Sequence, residues 1–258
     1  MNAASASRDL GGFVSGLDAR VSGSWRLGGA AGYSHSSIHV ADRHSAADVG
    51  SFHLAGYAGG MAGPFALRGG GAWTWNEIDT SRAVIFPGFF EREKASYDAD
   101  TGQLFGEVAY PIAMGRAALE PFAGLAFVSI DSDSFKESGA LAGLRGSGHD
   151  QDVGYFTLGL RAAMTYAWNG ASVTPHVSVA WQHAFDDVTT GAALAFASTG
   201  IGFDVTGVPL AEDTALIEAG LNLAFGPNAT AGISYSGQRR RRRGQRRQRP
   251  PHLAVLGF

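Results

Sequence analysis

The strongest constraint on the fold of this chain is an alternation of apolar and polar residues with a period of two. Between Phe156 and Trp168 every second residue is apolar, and the residues between them are small or polar. Because successive side chains of a β-strand point to opposite faces, this pattern predicts strands with one apolar face. A tilted strand needs about 9–11 residues to cross a bilayer. Ten segments of about this length show the pattern, near residues 11–21, 25–35, 51–60, 65–76, 102–113, 118–130, 155–168, 172–185, 214–225 and 229–238.

The connections between these segments alternate between short and long. Short links lie near residues 22–24, 61–64, 114–117, 169–171 and 226–228, and long links cover 36–50, 77–101, 131–154 and 186–213. Outer-membrane barrels have short periplasmic turns and long extracellular loops. A soluble sheet has no reason to sort its loops by length in this way.

Composition narrows the class of protein further. Only 17% of the residues are charged, whereas about 25% is usual in soluble domains. The chain has no cysteine and therefore no disulfide or thiolate metal site. No stretch reaches the roughly 18 apolar residues of a membrane-spanning helix, and residues 1–9 lack the apolar core of a signal peptide. We therefore predict an all-β protein, an antiparallel transmembrane β-barrel of the outer-membrane type. The alternative is the core of a soluble β-sandwich.

The tryptophans fit the barrel better than the sandwich. They fall on the predicted apolar face and near the ends of strands, as the aromatic belts of membrane barrels do. We predict an interfacial belt formed by Trp25, Trp73, Trp75, Trp168 and Trp181.

The opposite face carries polar and charged residues that would be costly in lipid, by about 2–4 kcal/mol each at mid-depth. We predict that these side chains face a wet lumen: Asp18, Arg20, Arg26, Arg68, Glu107, Glu120, Arg161, His176, Gln182, Glu218 and Asn222. Four acids are balanced by four arginines, which favours ion pairs. Pairing between neighbouring strands is the simpler interpretation, and contact with a segment inside the lumen is the alternative.

An enzymatic role is an alternative, because some membrane barrels are hydrolases. His183 lies near Asp186 and Asp187, and Asp131 and Asp133 lie at the end of a strand. His183 belongs to the apolar face, however, which suits an interfacial ring better than a general base. No nucleophile elbow, phosphate loop or metal-binding helix motif occurs in its required context. We expect no catalytic residue, no cofactor and no metal ion.

Several segments, taken together and in this order, resemble the autotransporter β-domain family. They are SWRLGGAAGYS at 24–34, ADTGQLFGEVAY at 99–110, LEPFAGL at 119–125, LGLR at 158–161, WQHAF at 181–185 and ISYSG at 233–237. The resemblance runs from about Gly11 to Gln238, and each segment alone would be weak.

The resemblance implies a twelve-stranded barrel with a helix in its lumen, in the outer membrane of a Gram-negative bacterium. It implies that the domain anchors and exports an N-terminal passenger. The implied partners are outer-membrane lipid, the protein's own passenger segment and the barrel assembly machinery. The family's inner glutamates and arginine correspond to Glu107, Glu120 and Arg161. The alternatives are a pore or structural barrel without a passenger and, less favoured, a barrel hydrolase.

Two departures from the family pattern shape the expected domain organisation. The family begins with a lumenal helix and a first strand. We expect this chain to start after them, with residues 1–10 as the remnant of a linker and 11–238 as the barrel. The tail, residues 239–258, carries eight arginines between Arg239 and Arg249, whereas residues 1–238 have a net charge of −11.

The arginine-rich tail interrupts a family motif, so we expect a shift of reading frame as its origin and no binding of nucleic acid. Beyond it, Ala254, Leu256 and Phe258 alternate again towards a terminal aromatic residue. By resemblance to the family, Phe258 would act as the assembly signal.

Overall fold

The computed structural model describes residues 6–40, 44–139, 141–185, 189, 191–207, 209–225, 230–240 and 252–254. Within these residues, no helix is long and apolar enough to cross a membrane. The regular elements are β-strands, which we number in chain order. They are β1 (Ala6–Ser22), β2 (Trp25–Val40), β3 (Ser45–Ala62), β4 (Phe65–Phe86), β5 (Phe89–Ala109), β6 (Ile112–Met114), β7 (Ala117–Ser132), β8 (Phe135–Lys136), β9 (Leu144–Gly146), β10 (His149–Met164), β11 (Tyr166–Trp168), β12 (Ala171–Phe185), β13 (Gly191–Phe196), β14 (Gly202–Thr206), β15 (Asp213–Ala224), β16 (Thr230–Arg240) and β17 (His252–Ala254).

The long strands form one antiparallel meander in which each strand pairs with the next one along the chain. The order is β1-β2-β3-β4-β5-β7-β10-β12-β15-β16-β17, with β6 beside β7 and β11 beside β12. All ten strands predicted from the sequence are present. Among the described residues, β1 pairs with β2 alone.

The two faces of this sheet have opposite character. The face that carries Leu17, Leu104 and Leu160 is open, with these side chains 86%, 62% and 41% exposed. The small buried cluster, formed by Ala66, Ala109 and Phe122, lies on the other face. An apolar sheet face of this size left uncovered is not stable in water but is the normal surface of a protein in lipid. The predicted outer-membrane fold class is therefore confirmed, and the β-sandwich is excluded.

The short turns have the backbone geometry of tight hairpins. Asn169 and Gly170 have φ angles of 46° and 80°, as the two central residues of a type I′ turn require. Glycines with positive φ occupy three further short turns, at Gly23, Gly63 and Gly115. The predicted link at 226–228 lies outside the described residues.

Two of the predicted long loops are wrong, because the strands on either side continue through them. β2 and β3 pair from Val40↔Ser45 inward, and β4 and β5 pair as far as Phe86↔Phe89 around a turn at Pro87 and Gly88. The backbone ladder does not require apolar side chains. Beyond the lipid the residues no longer alternate between apolar and polar, although the backbones of the strands remain paired. The alternation therefore marks only the membrane-embedded part of each strand.

The other two predicted loops, 131–154 and 186–213, also contain strands. They contribute β8, β9, β13 and β14 to a second, four-stranded sheet in the order β14-β13-β9-β8. Two predicted strands are also interrupted. The segment 102–113 breaks at Tyr110 and Pro111, where proline offers no N–H to the ladder, and the segment 155–168 breaks at Thr165.

The predicted boundaries at both ends need correction. β1 begins at Ala6, so residues 6–10 extend a strand instead of forming a linker, because backbone pairing continues through these polar residues as far as Ala6↔Val40. At the other end, His252–Ala254 pairs with Ser234–Ser236 of β16. Most of the arginine-rich tail and the predicted assembly signal, Phe258, lie outside the described residues.

Candidate functional site

The polar face carries a charged cluster at the middle of the sheet, formed by Arg68, Glu107, Glu120 and Arg161, which we call the central cluster. The strand register places Arg68 opposite Glu107 and Arg161 opposite Glu120. Arg68 Nη1 donates to Glu107 Oε1 at 2.7 Å and to Glu120 Oε1 at 2.9 Å. Arg161 Nη1 donates to the same two oxygens at 2.8 and 3.0 Å.

These contacts extend beyond neighbouring strands. Arg68 on β4 reaches Glu120 on β7, and Arg161 on β10 reaches Glu107 on β5. Each guanidinium therefore bridges both carboxylates, and the cluster ties four adjacent strands together. Charge is balanced, with two cations and two anions, so no buried charge is left uncompensated.

The cluster is packed on one side and open on the other. The Arg161 guanidinium lies 3.7 Å from the centre of the Phe122 ring, a cation–π contact. A Cβ on Gly159 would overlap that ring, so glycine is needed there for the close approach. The side chains of Arg68 and Arg161 remain 42% and 37% exposed, so the cluster is accessible from the polar side of the sheet.

Most of the remaining predicted polar residues form smaller contacts on the same face. Arg26 donates to Asp18 at 2.7 Å. His176 approaches Glu218 at 3.9 Å and Asn222 at 3.5 Å, and Gln182 donates to Thr157 at 3.5 Å. Arg20 lies opposite Arg26 and, within the part of the chain that the structure describes, contacts no acidic side chain.

Uncharged polar rows on this face were missed by the sequence analysis. His53 bridges Ser34 at 2.8 Å and Thr74 at 3.0 Å, across β2, β3 and β4. Ser51 donates to Asn76 at 2.7 Å in a second row. The alternation of β2 predicts the polar face for Ser34, and the strand register places His53 and Thr74 on that same face. Hydrogen bonding, not charge alone, thus fills the polar face.

All five tryptophans project from the apolar face and are between 36% and 65% exposed. Trp25 and Trp168 lie beside the short turns, whereas Trp73 and Trp75 lie on the long-hairpin side. Trp181 donates its indole N–H to Asp213 at 2.9 Å. That these rings form an interfacial belt remains a prediction.

The residues considered for catalysis do not converge. His183 Nδ1 lies 3.1 Å from Asp213, and its ring lies beside Trp181 on the apolar face. Asp186 and Asp187 lie outside the described residues. Asp131 lies opposite Asp100 and Asp150 in the strand register, with no histidine in that row. In the described part of the chain, no group of three or more histidine or acidic side chains is arranged to hold a metal ion.

A meander of ten long antiparallel strands, apolar on the open face and polar on the other, defines an outer-membrane β-barrel protein. The family model of the autotransporter beta-domain matches residues 1–236, and the chain belongs to that family.

Two curated relatives, each described as an extracellular serine protease of Serratia marcescens, are 36% and 35% identical to this chain over 230 and 227 residues. Each alignment covers 88% of this chain but 22% of the relative. The chain therefore spans about a fifth of the length of these relatives. Their description as proteases refers to those longer proteins.

Solved structures share the fold at low identity. The translocator domain of autotransporter NalP from Neisseria meningitidis has a TM-score of 0.68 at 16% identity, over 90% of this chain and 75% of that one. The beta domain of the Bordetella autotransporter Brka has a TM-score of 0.64 at 20% identity, over 90% and 86%. The transport unit of AIDA-I from Escherichia coli has a TM-score of 0.52 at 10% identity, over 90% and 78%.

Proposed function

We propose that this chain anchors a protein in the outer membrane of a Gram-negative bacterium and provides the route by which an attached passenger segment leaves the cell. The central cluster is the observation that carries this proposal. Its arginines remain about two-fifths exposed on the polar face, and its glutamates are held in place by two cations each. Such a surface can hydrogen-bond an extended or helical segment without collapsing onto itself.

The partners we propose follow from the two faces. The apolar face with its tryptophans suits outer-membrane lipid, because each exposed apolar side chain is stable there and not in water. The polar face suits the protein's own passenger segment. Delivery to the membrane would use the barrel assembly machinery, in line with the family. We propose no catalytic role, since among the described residues Asp131 and His183 lie in different rows of the sheet.

A second candidate function is a barrel without a passenger, acting as a pore or a structural element. The ion pairs that join β4, β5, β7 and β10 would stabilise the wall of such a pore equally well. Export and passive pore formation therefore differ in what passes through the barrel, and the test must measure that directly.

The test is a chimera with a relative whose passenger can be assayed. The matching 230 residues of the Serratia marcescens extracellular serine protease are replaced by those of this chain. If the proposal holds, protease activity appears outside the cells, because this chain supplies the missing export function. A matched chimera carrying Leu160→Arg should fail to assemble and should release none.

Export is contradicted if the chimera folds, as shown by gel mobility that changes on heating, while the protease stays inside the cells. That result would favour the pore. Heat-dependent mobility separates that outcome from simple misfolding of the chimera.

A further inference from the structure

The strands β4 and β5 continue beyond the tryptophan belt as a hairpin, and another segment of the chain lies on its polar face. This segment comprises residues 135–139 and 141–146, which we call the strap. The Ser138 N–H donates to the Lys94 carbonyl at 2.8 Å, and the Phe135 ring stacks on Tyr97 with centroids 5.2 Å apart. The strap is therefore docked on the hairpin through both backbone and ring contacts.

Charged groups hold the strap at its middle. Arg82 on β4 donates to both carboxylate oxygens of Glu137, at 2.7 and 2.5 Å, and to the Ala142 carbonyl at 2.6 Å. Glu91 on β5 accepts hydrogen bonds from the Leu141 and Ala142 N–H groups, at 3.0 and 2.8 Å. The charged groups are thus shared between the hairpin and the strap.

Glu93 on β5 lies between the hairpin and the strap, and its environment differs from that of Arg82, Glu91 and Glu137. It is fully buried, and neither of its carboxyl oxygens receives a hydrogen bond from a described donor. The backbone of Gly139 covers it so closely that a Cβ at Gly139 would overlap the carboxyl group. An ionised carboxylate in this place would lack both water and donors, so its charged form opposes docking.

We infer that the strap is a pH-sensitive latch, docked while Glu93 is protonated and released as that carboxyl ionises. The charges around Glu93 come from every element packed on it. They are Glu91 on its own strand, Glu137 on the strap and Arg82 on β4. With Glu93 ionised, the carboxylates of Glu91 and Glu137 would repel it, and docking would bring these like charges together around Arg82.

The direction of the pH effect follows from burial. Burial raises the pKa of the Glu93 carboxyl above its ordinary value of 4.5, and the Glu91 and Glu137 carboxylates raise it further, whereas Arg82 lowers it. When the strap is released, Glu93 is hydrated and regains the ordinary pKa. Docking is therefore strongest below about pH 4.5 and weakens as the pH rises through the docked-state pKa.

The strap lies on the same face as the central cluster. If that face lines the exit route, which rests on the proposed function, the docked strap narrows the outer end of the route. Release at higher pH would widen it. The latch itself does not depend on export and can be measured without a passenger.

The experiment measures hydrogen exchange of the Leu141, Ala142 and Leu144 amides in the full chain, folded in detergent micelles. Rates are corrected for the intrinsic effect of pH between pH 5 and 9. Protection should fall by about tenfold for each unit by which docking raises the Glu93 pKa. Glu93→Gln should keep full protection at every pH, because an amide carries no charge.

Two further variants make the result unambiguous. Gly139→Ala should lose protection at every pH, since its methyl group displaces the strap. Arg92→Gln changes an exposed charge on the opposite face of β5 and should keep the wild-type pH dependence. The latch is refuted if wild-type protection is independent of pH, or if Glu93→Gln retains the wild-type slope.

Discussion

Two clusters of arginine and glutamate lie on the same face of this sheet and have opposite physical character. The central cluster has two arginines and two glutamates, and its arginines are about two-fifths exposed. The hairpin cluster, formed by Arg82, Glu91, Glu93 and Glu137, has one arginine and three glutamates, with Glu93 fully buried. Both clusters consist only of arginine and glutamate, so the kinds of residue do not explain the difference between them.

The difference shows that the ratio of charges and access to solvent decide what such a cluster does. In the central cluster every carboxylate meets two cations, so ionisation and pairing support each other. In the hairpin cluster an ionised Glu93 would be buried without a hydrogen-bond donor and beside two other carboxylates, so ionisation opposes docking. The first arrangement is suited to permanent bracing and the second to a reversible contact.

The largest expected effect tests the premise that both clusters lie on the wet face. Leu160→Arg places a cation on the apolar face next to the central cluster and should block assembly, at a cost of about 2–4 kcal/mol near mid-depth. Thr157→Arg places the same side chain on the polar face of the same strand and should assemble. Heat-dependent gel mobility in membranes reports assembly. Equal defects in the two variants would mean that the faces are wrongly assigned.

A smaller effect should follow from giving the central cluster the charge ratio of the hairpin cluster. Arg161→Glu leaves one arginine with three carboxylates and should lower the free energy of unfolding by about 1–3 kcal/mol. Adding Glu120→Arg restores two charges of each sign and should recover at least half of that loss. Urea unfolding in micelles measures both changes, and a double variant no more stable than the single one would show that charge balance is not the cause.

The smallest expected effect is the response to salt. Raising NaCl from 0.1 to 1 M should weaken the central cluster, whose arginines are partly exposed, by less than about 1 kcal/mol in the free energy of unfolding. Exchange protection of the strap at pH 5 should change less, since Glu137 is buried and Glu93 is fully buried. The reverse pattern, with the strap sensitive and the barrel insensitive, would contradict the contrast drawn between the clusters.

The sequence predicts the membrane-embedded part of this molecule well, and the part beyond the membrane poorly. Ten strands and all four members of the central cluster follow from a period of two, because lipid imposes that period on one face. The strap does not follow, since Arg82 and Glu137 are 55 residues apart and no periodic pattern connects them. The continuation of β4 to Phe86 was missed for a related reason, as its side chains there no longer face lipid.

The described strands of the sheet differ greatly in length. β4 and β5 have 22 and 21 residues, whereas β15 has 12. At about 3.3 Å per residue, β4 is roughly 30 Å longer than β15 along the strand direction. The extra length lies towards the turn between Phe86 and Phe89, so this hairpin extends much farther past Trp75 than β15 extends past the residue that pairs with Trp181.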